Sequence, residues 1–294
     1  MGRKRKKQPR RKTRTARATR QLSEFEESFL EEADLYDKVI AATVLISQHQ
    51  HGIEADGRGL RATKIFTRQT VVALSLQRIL PRPSPTRHEE AELWDVVSIA
   101  SLTRNLIEGY LGLYYFGTER VSPEEAELRF FLLQLHRNVE WHEIRKAGVA
   151  NDPELKDFQE GIPKQQERIR EHPFLPKLTE AQRNRALRGH EMYKTKADFE
   201  AELEICKDLR KHFRHLSNLV HPLPLSIERI DNERGRGIGS DADVNYCLIC
   251  LMLARRYLAA TTVAVADHFP EQLASKFEQT LGLIRPLTAA GFEA

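Results

Sequence analysis

Hydrophobic positions recur every three or four residues along most of this chain, which is the period of an amphipathic α-helix. After Leu22 the apolar side chains keep that spacing at Phe25, Phe29, Ala33, Tyr36 and Ile40. Ser23 and Glu26 stand three residues apart at the start of this run, as the two partners of a capping box do. The pattern therefore predicts a first helix that begins at about Ser23.

Turn and capping residues divide the rest of the chain into further predicted helices. These cover about 59–80, 89–116, 122–146, 196–220 and 241–268, and a short one follows Pro270. The stretch 150–195 is more polar and predicts a helix-loop-helix insertion, whose first helix is interrupted at Gly161-Ile162-Pro163. No segment has a convincing strand pattern. The sequence thus predicts an all-α fold, a mostly antiparallel helical bundle that forms a single domain over residues 22–290.

Charge is distributed unevenly along the chain. Residues 1–20 hold eleven of the 46 lysines and arginines and no acid, which leaves 35 basic against 42 acidic residues elsewhere. This arm, residues 1–21, has no large apolar side chain after Met1 and is expected to be disordered. Its functional interpretation is contact with RNA or another nucleic acid through the phosphates. The alternative is a solubilising tail.

The chain is expected to be cytoplasmic, with no membrane span. The basic run is followed by Ser23-Glu24-Phe25-Glu26, whereas a secretory signal would continue with an apolar segment. The two most apolar stretches, 97–116 and 245–267, are both interrupted by charged residues. The cysteines, Cys206, Cys247 and Cys250, are odd in number, and we expect free thiols in such a compartment.

The segment from Arg214 to His221 is the most informative stretch for function. The two residues are seven positions apart, so a helix would place both on one face, with Ser217 and Asn218 between them. A guanidinium can stabilise the charge on a phosphorane, and an imidazole can take the proton from an RNA 2′-hydroxyl without a metal. The alternative is a helix C-terminus where cations meet the negative end of the dipole.

Arg104 and Glu108 form a second candidate pair, four residues apart in an otherwise apolar helix. A charge in such a helix is expected to be buried and paired. As catalytic groups, Arg104 would be a second phosphate ligand and Glu108 an orienting or proton-relay group that faces His221. As structural groups, they would be a buried ion pair that fixes the helix register.

A glycine-containing loop carries the last candidates. Arg234 and Arg236 alternate with Gly235, Gly237 and Gly239, and the loop could wrap a phosphate or serve as a mobile connection. None of these groups requires a metal or an organic cofactor, and neither is predicted.

The segment Arg104-Asn105-Leu106-Ile107-Glu108 and the later Ser217-x-x-x-His221-Pro222 resemble the two motifs of an uncharacterised bacterial all-helical family. That family pairs an R-x-x-x-E helix with an S-x-x-x-H element, and the resemblance covers about 30–265. The spacing of Arg214 and His221 also resembles that of HEPN domains (higher eukaryotes and prokaryotes nucleotide-binding).

The HEPN resemblance implies an RNA-directed protein, in its strongest form a metal-independent endoribonuclease of the toxin or defence type. It also implies a homodimer, because HEPN enzymes often build the site across two copies. The competing hypothesis is a non-catalytic binding or scaffold protein. In that protein the Arg, Glu, Ser and His side chains form a buried polar network, and the basic arm tethers the chain to nucleic acid.

Overall fold

A computed structural model describes residues 21–82, 93–148, 154–222, 224–228 and 240–289. Residues 1–20 of the predicted arm, together with Arg234 and Arg236, lie outside these ranges. Within them every regular element is helical, which confirms the predicted all-α bundle. The α-helices are α1 (Glu24–His49), α2 (Gly57–Ile79), α3 (Val96–Leu113), α4 (Pro123–Gly148), α5 (Glu154–Arg170), α6 (Glu180–Leu187), α7 (Lys196–Glu202), α8 (Leu209–Val220), α9 (Pro224–Glu228), α10 (Asp241–His268) and α11 (Glu278–Ile284).

Helix α10 forms the centre of the bundle and packs against both α1 and α3. Its small residues Ala254, Ala259 and Ala266 are fully buried, which allows the neighbouring helices to approach closely. The hydroxyls of Thr43 on α1 and Thr262 on α10 lie 2.7 Å apart across this interface. Helix α2 packs against α3, α1 and α10, and α8 packs against α3.

Of the helices in the described ranges, α10 is long and apolar enough to cross a membrane by length and composition. However, 72% of its most apolar window is buried inside the protein. Such burial is typical of the core helix of a soluble protein.

Two adjacent arginines on α10 are buried and hold distant segments of the chain. Arg255 is ion-paired with Glu32 on α1 and donates to the Leu287 carbonyl oxygen at 2.9 Å. Arg256 donates to the carbonyl oxygens of Thr288 and Glu204, at 3.3 and 3.2 Å. These charges are the ones that interrupt the apolar stretch in the sequence, and inside the protein they act as tertiary links.

A second buried ionic network fixes the chain before α7. Arg129 on α4 is 3% exposed and donates to Glu119 at 2.7 Å, and it also bonds Glu125. Lys194 donates to the other Glu119 oxygen at 2.7 Å and to Glu202 at the end of α7. The network therefore ties α7 to the start of α4.

The predicted helix over 196–220 is wrong, because the chain breaks between α7 and α8. A short 3₁₀ turn spans Glu204–Cys206, and Asp208 has a left-handed φ of 62°, which an α-helix does not accept. The carbonyl oxygens of Glu204 and Ile205 accept hydrogen bonds from Arg256 and Tyr257 on α10. Tertiary hydrogen bonds thus replace helical ones at the break.

Other predicted helix limits also differ from the structure. Helix α3 starts at Val96 rather than near residue 89, because Asp95 caps it by accepting from the Ser98 N–H at 3.0 Å. It ends at Leu113, where a π-helical turn over Tyr114–Thr118 follows.

In the polar insertion, α5 continues through Pro163, although an interruption was expected there. Ile169 in its last turn is fully buried, and that packing holds the helix despite the lost N–H.

The three cysteines form no disulfide and are buried, as expected for free thiols. Burial raises the pKa of the Cys206 thiol to about 12, so it stays protonated near neutral pH.

The buried Arg255–Glu32 pair generates a stability prediction. Replacing Glu32→Ala leaves the Arg255 charge inside the core without its carboxylate, and it should lower the free energy of unfolding by about 3–5 kcal/mol. Urea denaturation followed by circular dichroism measures the change.

The matched control is Glu160→Ala, which breaks the exposed Lys156–Glu160 pair on α5. That change should cost less than about 1 kcal/mol. Equal losses in the two variants would contradict a structural role for the buried pair.

Candidate functional site

Arg104, Glu108 and Ser217 come together where α8 packs against α3. The Arg104 Nε and Nη2 atoms each lie 3.3 Å from Glu108 Oε1, and Nη1 donates to Ser217 Oγ at 3.3 Å. The two sequence motifs, 113 residues apart, are therefore in direct contact. We call these three residues the Arg104 cluster.

The sequence places these side chains at the edge of the helix contact. Helix α8 buries Leu209, Phe213, Leu216 and Leu219, which recur at helical spacing. Ser217 lies beside that stripe, and on α3 the buried face is formed by Ile99, Thr103, Leu106 and Tyr110. Arg104 and Glu108 flank the latter face, so their polar ends meet α8 at the border with solvent.

The expectation of a buried Arg104–Glu108 pair is wrong. The side chains are 29% and 48% exposed, because this face of α3 lies at the rim of the bundle. An exposed pair of this type contributes little to stability, whereas a ligand from solvent can reach it. The Arg104 cluster is accordingly an accessible polar site.

The ring of Phe213 packs against the guanidinium of Arg104. The guanidinium carbon of Arg104 lies 4.6 Å from the centroid of the Phe213 ring, and Lys196 Nζ lies 4.0 Å from it. Phe213 itself is 7% exposed, so the ring is a fixed platform that orients both cations by cation–π attraction. The platform thus brings a second positive charge, from α7, close to Arg104.

A shallow groove of about 920 Å³ follows the outer face of α8. We call it the α8 groove, and the residues that line it are Glu200, Lys207, Asp208, Arg210, Lys211, Arg214, His215 and Asn218. Four of these are lysine or arginine and two are acidic, and the Glu200 carboxylate bonds Arg210. The left-handed Asp208 lies at its edge, a strained conformation of the type often found at functional sites.

The predicted residues of α8 divide between these two features. Arg214 is exposed and lines the α8 groove, together with Asn218, whose Nδ2 donates to the Arg214 carbonyl oxygen at 3.0 Å. Ser217 belongs to the Arg104 cluster. Because successive residues are about 100° apart around a helix, Ser217 lies next to the groove-lining face.

His221 caps the C-terminus of α8. Its backbone is extended, with φ −91° and ψ 142°, and its N–H donates to the Ser217 carbonyl oxygen at 3.1 Å. The helix therefore ends at Val220, two residues before Pro222, as the proline predicts. The imidazole is exposed. Ser217 consequently contacts both Arg104 and His221. Its hydroxyl accepts a hydrogen bond from Arg104, and its carbonyl oxygen accepts one from the His221 N–H.

In the described ranges, no group of three or more His, Cys, Asp or Glu side chains is arranged to hold a metal ion. The groups present along α8 and in the Arg104 cluster are guanidinium, ammonium, carboxylate, hydroxyl and imidazole groups.

Comparison of the chain with protein-family models, curated proteins and solved structures found no match. The resemblance to HEPN domains and to the uncharacterised helical family stays a prediction from the motifs.

Several residues of this site were not identified from the sequence. Lys207, Arg210 and Lys211 form a visible basic run with Arg214, and this run could have indicated the α8 groove. Lys196 gave no local signal, because its contact with Phe213 depends on the turn between α7 and α8.

The environment of His212 generates a prediction about pH. Burial lowers the pKa of His212 below its ordinary value of 6.5, and the charges of Arg256 and Lys211 lower it further. The unfolded chain therefore binds this proton more readily than the folded protein. The free energy of unfolding should consequently fall as the pH drops below about 6.5.

Substituting His212→Gln should remove part of that fall, measured by urea denaturation at about pH 7.5 and about pH 5.5. The control is His51→Gln, at an exposed position between α1 and α2. A pH dependence in His212→Gln that equals that of the wild type would refute the assignment.

Proposed function

We propose that this protein binds single-stranded RNA along the α8 groove and cleaves it at the Arg104 cluster without a metal. The observation that carries the proposal is the contact of Arg104 with both Glu108 and Ser217, next to a groove lined by four basic side chains. In this proposal the groove holds the strand, and the cluster with His221 performs the chemistry.

The α8 groove has the charge that a phosphate backbone requires. Lys207, Lys211 and Arg214 are exposed, and no carboxylate among the described residues forms a salt bridge with any of them. Lysine and arginine bind nucleic acid by neutralising phosphates and releasing counterions. An extended strand along α8 would contact these three side chains in turn.

Arg104 is suited to hold a phosphodiester at the reacting position. Its planar guanidinium lies over the Phe213 ring, which limits its rotation, and the Arg104 side chain is 29% exposed, so an anion can reach it. A guanidinium binds two phosphate oxygens at once, and preorganised positive charge favours the transition state over the substrate. Lys196, on the same ring, adds positive charge nearby.

The reaction would be an internal transfer within the RNA. The imidazole of His221 accepts the proton of the 2′-hydroxyl, and the 2′-oxygen attacks the adjacent phosphorus. The bond to the 5′-oxygen breaks, and that oxygen takes a proton from water. The hydroxide so formed recovers the proton from His221. The products are a 2′,3′-cyclic phosphate and a 5′-hydroxyl, with Arg104 and the Ser217 hydroxyl stabilising the phosphorane charge.

A non-catalytic binding or scaffold protein is the second candidate. It is favoured by one observation, that three of the nitrogen atoms of Arg104 already have partners within the protein. In that case the Arg104 cluster is a brace between α3 and α8, and only the α8 groove contacts RNA.

The basic arm and Arg234 and Arg236 would extend the RNA contact beyond the described residues. Eleven positive charges without an acid favour a general attraction to phosphate, with no choice of sequence. We also propose a cytoplasmic location, where such an RNA substrate is found. A homodimer, if formed, would place two α8 grooves in one particle.

The proposed chemistry predicts the behaviour of one substitution. Incubated with RNA in the presence of EDTA, the wild type should release fragments that end in 2′,3′-cyclic phosphate. His221→Ala should abolish this activity, a loss on the order of 100-fold or more for a general base. Gel electrophoresis of end-labelled RNA, with phosphatase treatment of the products, measures it.

His51→Ala is the matched control, since His51 is an exposed histidine outside α8. It should cleave like the wild type. If His221→Ala retains full activity while remaining folded, the catalytic role is wrong. Binding of RNA without any cleavage by the wild type would favour the non-catalytic candidate.

A further inference from the structure

A second cavity, of about 420 Å³, lies between α2 and α3 on the other side of Glu108. We call it the glycine slot. Its apolar walls are formed by Ile65, Gly109, Gly112, Phe116 and Leu133. The volume falls in the range of small-molecule pockets. Because Glu108 lines the slot and also bonds Arg104, the slot is adjacent to the Arg104 cluster.

The rim of the glycine slot is positively charged. Arg61, Lys64 and Arg68 line it from α2, and their spacing of three and four residues places them along one face over roughly 10 Å. Among the described residues of the lining, Glu108 is the acidic one, and its charge is offset by Arg104. A ligand of the slot should therefore carry negative charge at this rim.

The side-chain amides of Gln69 and Asn105 complete the lining. Gln69 is 3% exposed, and its Nε2 donates to the Asn105 carbonyl oxygen at 3.4 Å. Its Oε1 has no hydrogen-bond partner among the described residues. The side chain lies across α3 because residue 109 is glycine, since a Cβ there would be 1.7 Å from Gln69 Nε2. The fold thus keeps a buried amide beside an apolar slot.

We propose that the glycine slot takes one unstacked base of single-stranded RNA, with the flanking phosphates on Arg61, Lys64 and Arg68. Apolar and aromatic walls favour stacking of a base, and amides of Asn and Gln recognise base edges by hydrogen bonds. A fatty acid would suit the walls and the rim equally well. It would, however, offer no donor to Gln69, whereas a base carries amino and ring N–H groups.

This inference rests on the proposed function and adds a source of specificity to it. The shared residue Glu108 places the base in the slot next to the phosphate at Arg104. The strand would then run from the slot, past Arg104, into the α8 groove. The position of cleavage would accordingly be chosen by the nucleotide whose base enters the slot.

Gly112→Leu tests the slot directly. A Cβ at Gly112 would meet no atom within 4 Å, and Gly112 lines the slot, so a larger side chain there starts into open space beside it. The matched control is Gly161→Leu in α5, where a Cβ also meets nothing within 4 Å and the residue does not line the slot. Fluorescence anisotropy with homopolymeric RNA oligonucleotides, and with one that carries a single abasic nucleotide, measures the affinity.

Gly112→Leu should weaken binding of the intact RNA on the order of tenfold, the contribution of about one stacked base. Its affinity should become equal for the intact and the abasic RNA, and Gly161→Leu should behave like the wild type. A second variant, Gln69→Met, keeps the shape but removes the amide, and it should lose base preference with little change in total affinity.

The outcomes separate this inference from the proposed function. One outcome is that RNA binding depends on Lys211 and Arg214 while Gly112→Leu leaves affinity and base preference unchanged. In that case the glycine slot does not bind a base, and the proposed RNA binding in the α8 groove is kept. If the wild type binds no RNA at all, both are overturned.

Discussion

The position of the Arg104 guanidinium on the Phe213 ring is the interaction on which the candidate site depends. It fixes a flexible cationic side chain at the line where α3 and α8 meet. From that position Arg104 reaches Ser217 on one helix and Glu108 on the other, each at 3.3 Å. Without the ring, Arg104 would be held only by Glu108 and Ser217, and its guanidinium would be less preorganised for an anion.

The interior of the bundle determines where that ring lies. Arg256 and Tyr257 on α10 hold the carbonyl oxygens of Glu204 and Ile205, so the chain leaves α7 and turns before α8. The turn orients α8 across α3 and brings Lys196 over Phe213. Buried arginines of the core thus position surface cations that are far from them in sequence.

Local rules were sufficient for part of this structure. The capping box of Ser23 and Glu26, the helical spacing of the apolar residues and the stop before Pro222 all follow from neighbours within one turn. Arg104 and Ser217, one from each motif, are in direct contact, whereas Arg214 lines the neighbouring α8 groove.

Other features could not be predicted, because they depend on residues distant in sequence. The break at Asp208 needs hydrogen bonds from α10, and the position of Gln69 needs the missing side chain of Gly109. The exposure of the Arg104–Glu108 pair does not follow from the apolar sequence of α3, because one side of this helix lies at the rim of the bundle. Helix periodicity identifies the buried face of a helix. Whether the residues beside that face are covered depends on which other helices pack there.

The salt dependence of RNA affinity tests the central claim, that the α8 groove holds a phosphate backbone, most directly. For a single strand the logarithm of affinity falls with the logarithm of salt by about 0.7 for each phosphate neutralised. The double variant Lys211→Gln, Arg214→Gln should therefore show a slope shallower than wild type by about 1.4. The control pair Lys156→Gln, Arg170→Gln on α5 should keep the wild-type slope. Deletion of residues 1–20 measures how much of the slope the basic arm contributes. Equal slopes for the groove variant and the wild type would contradict the account.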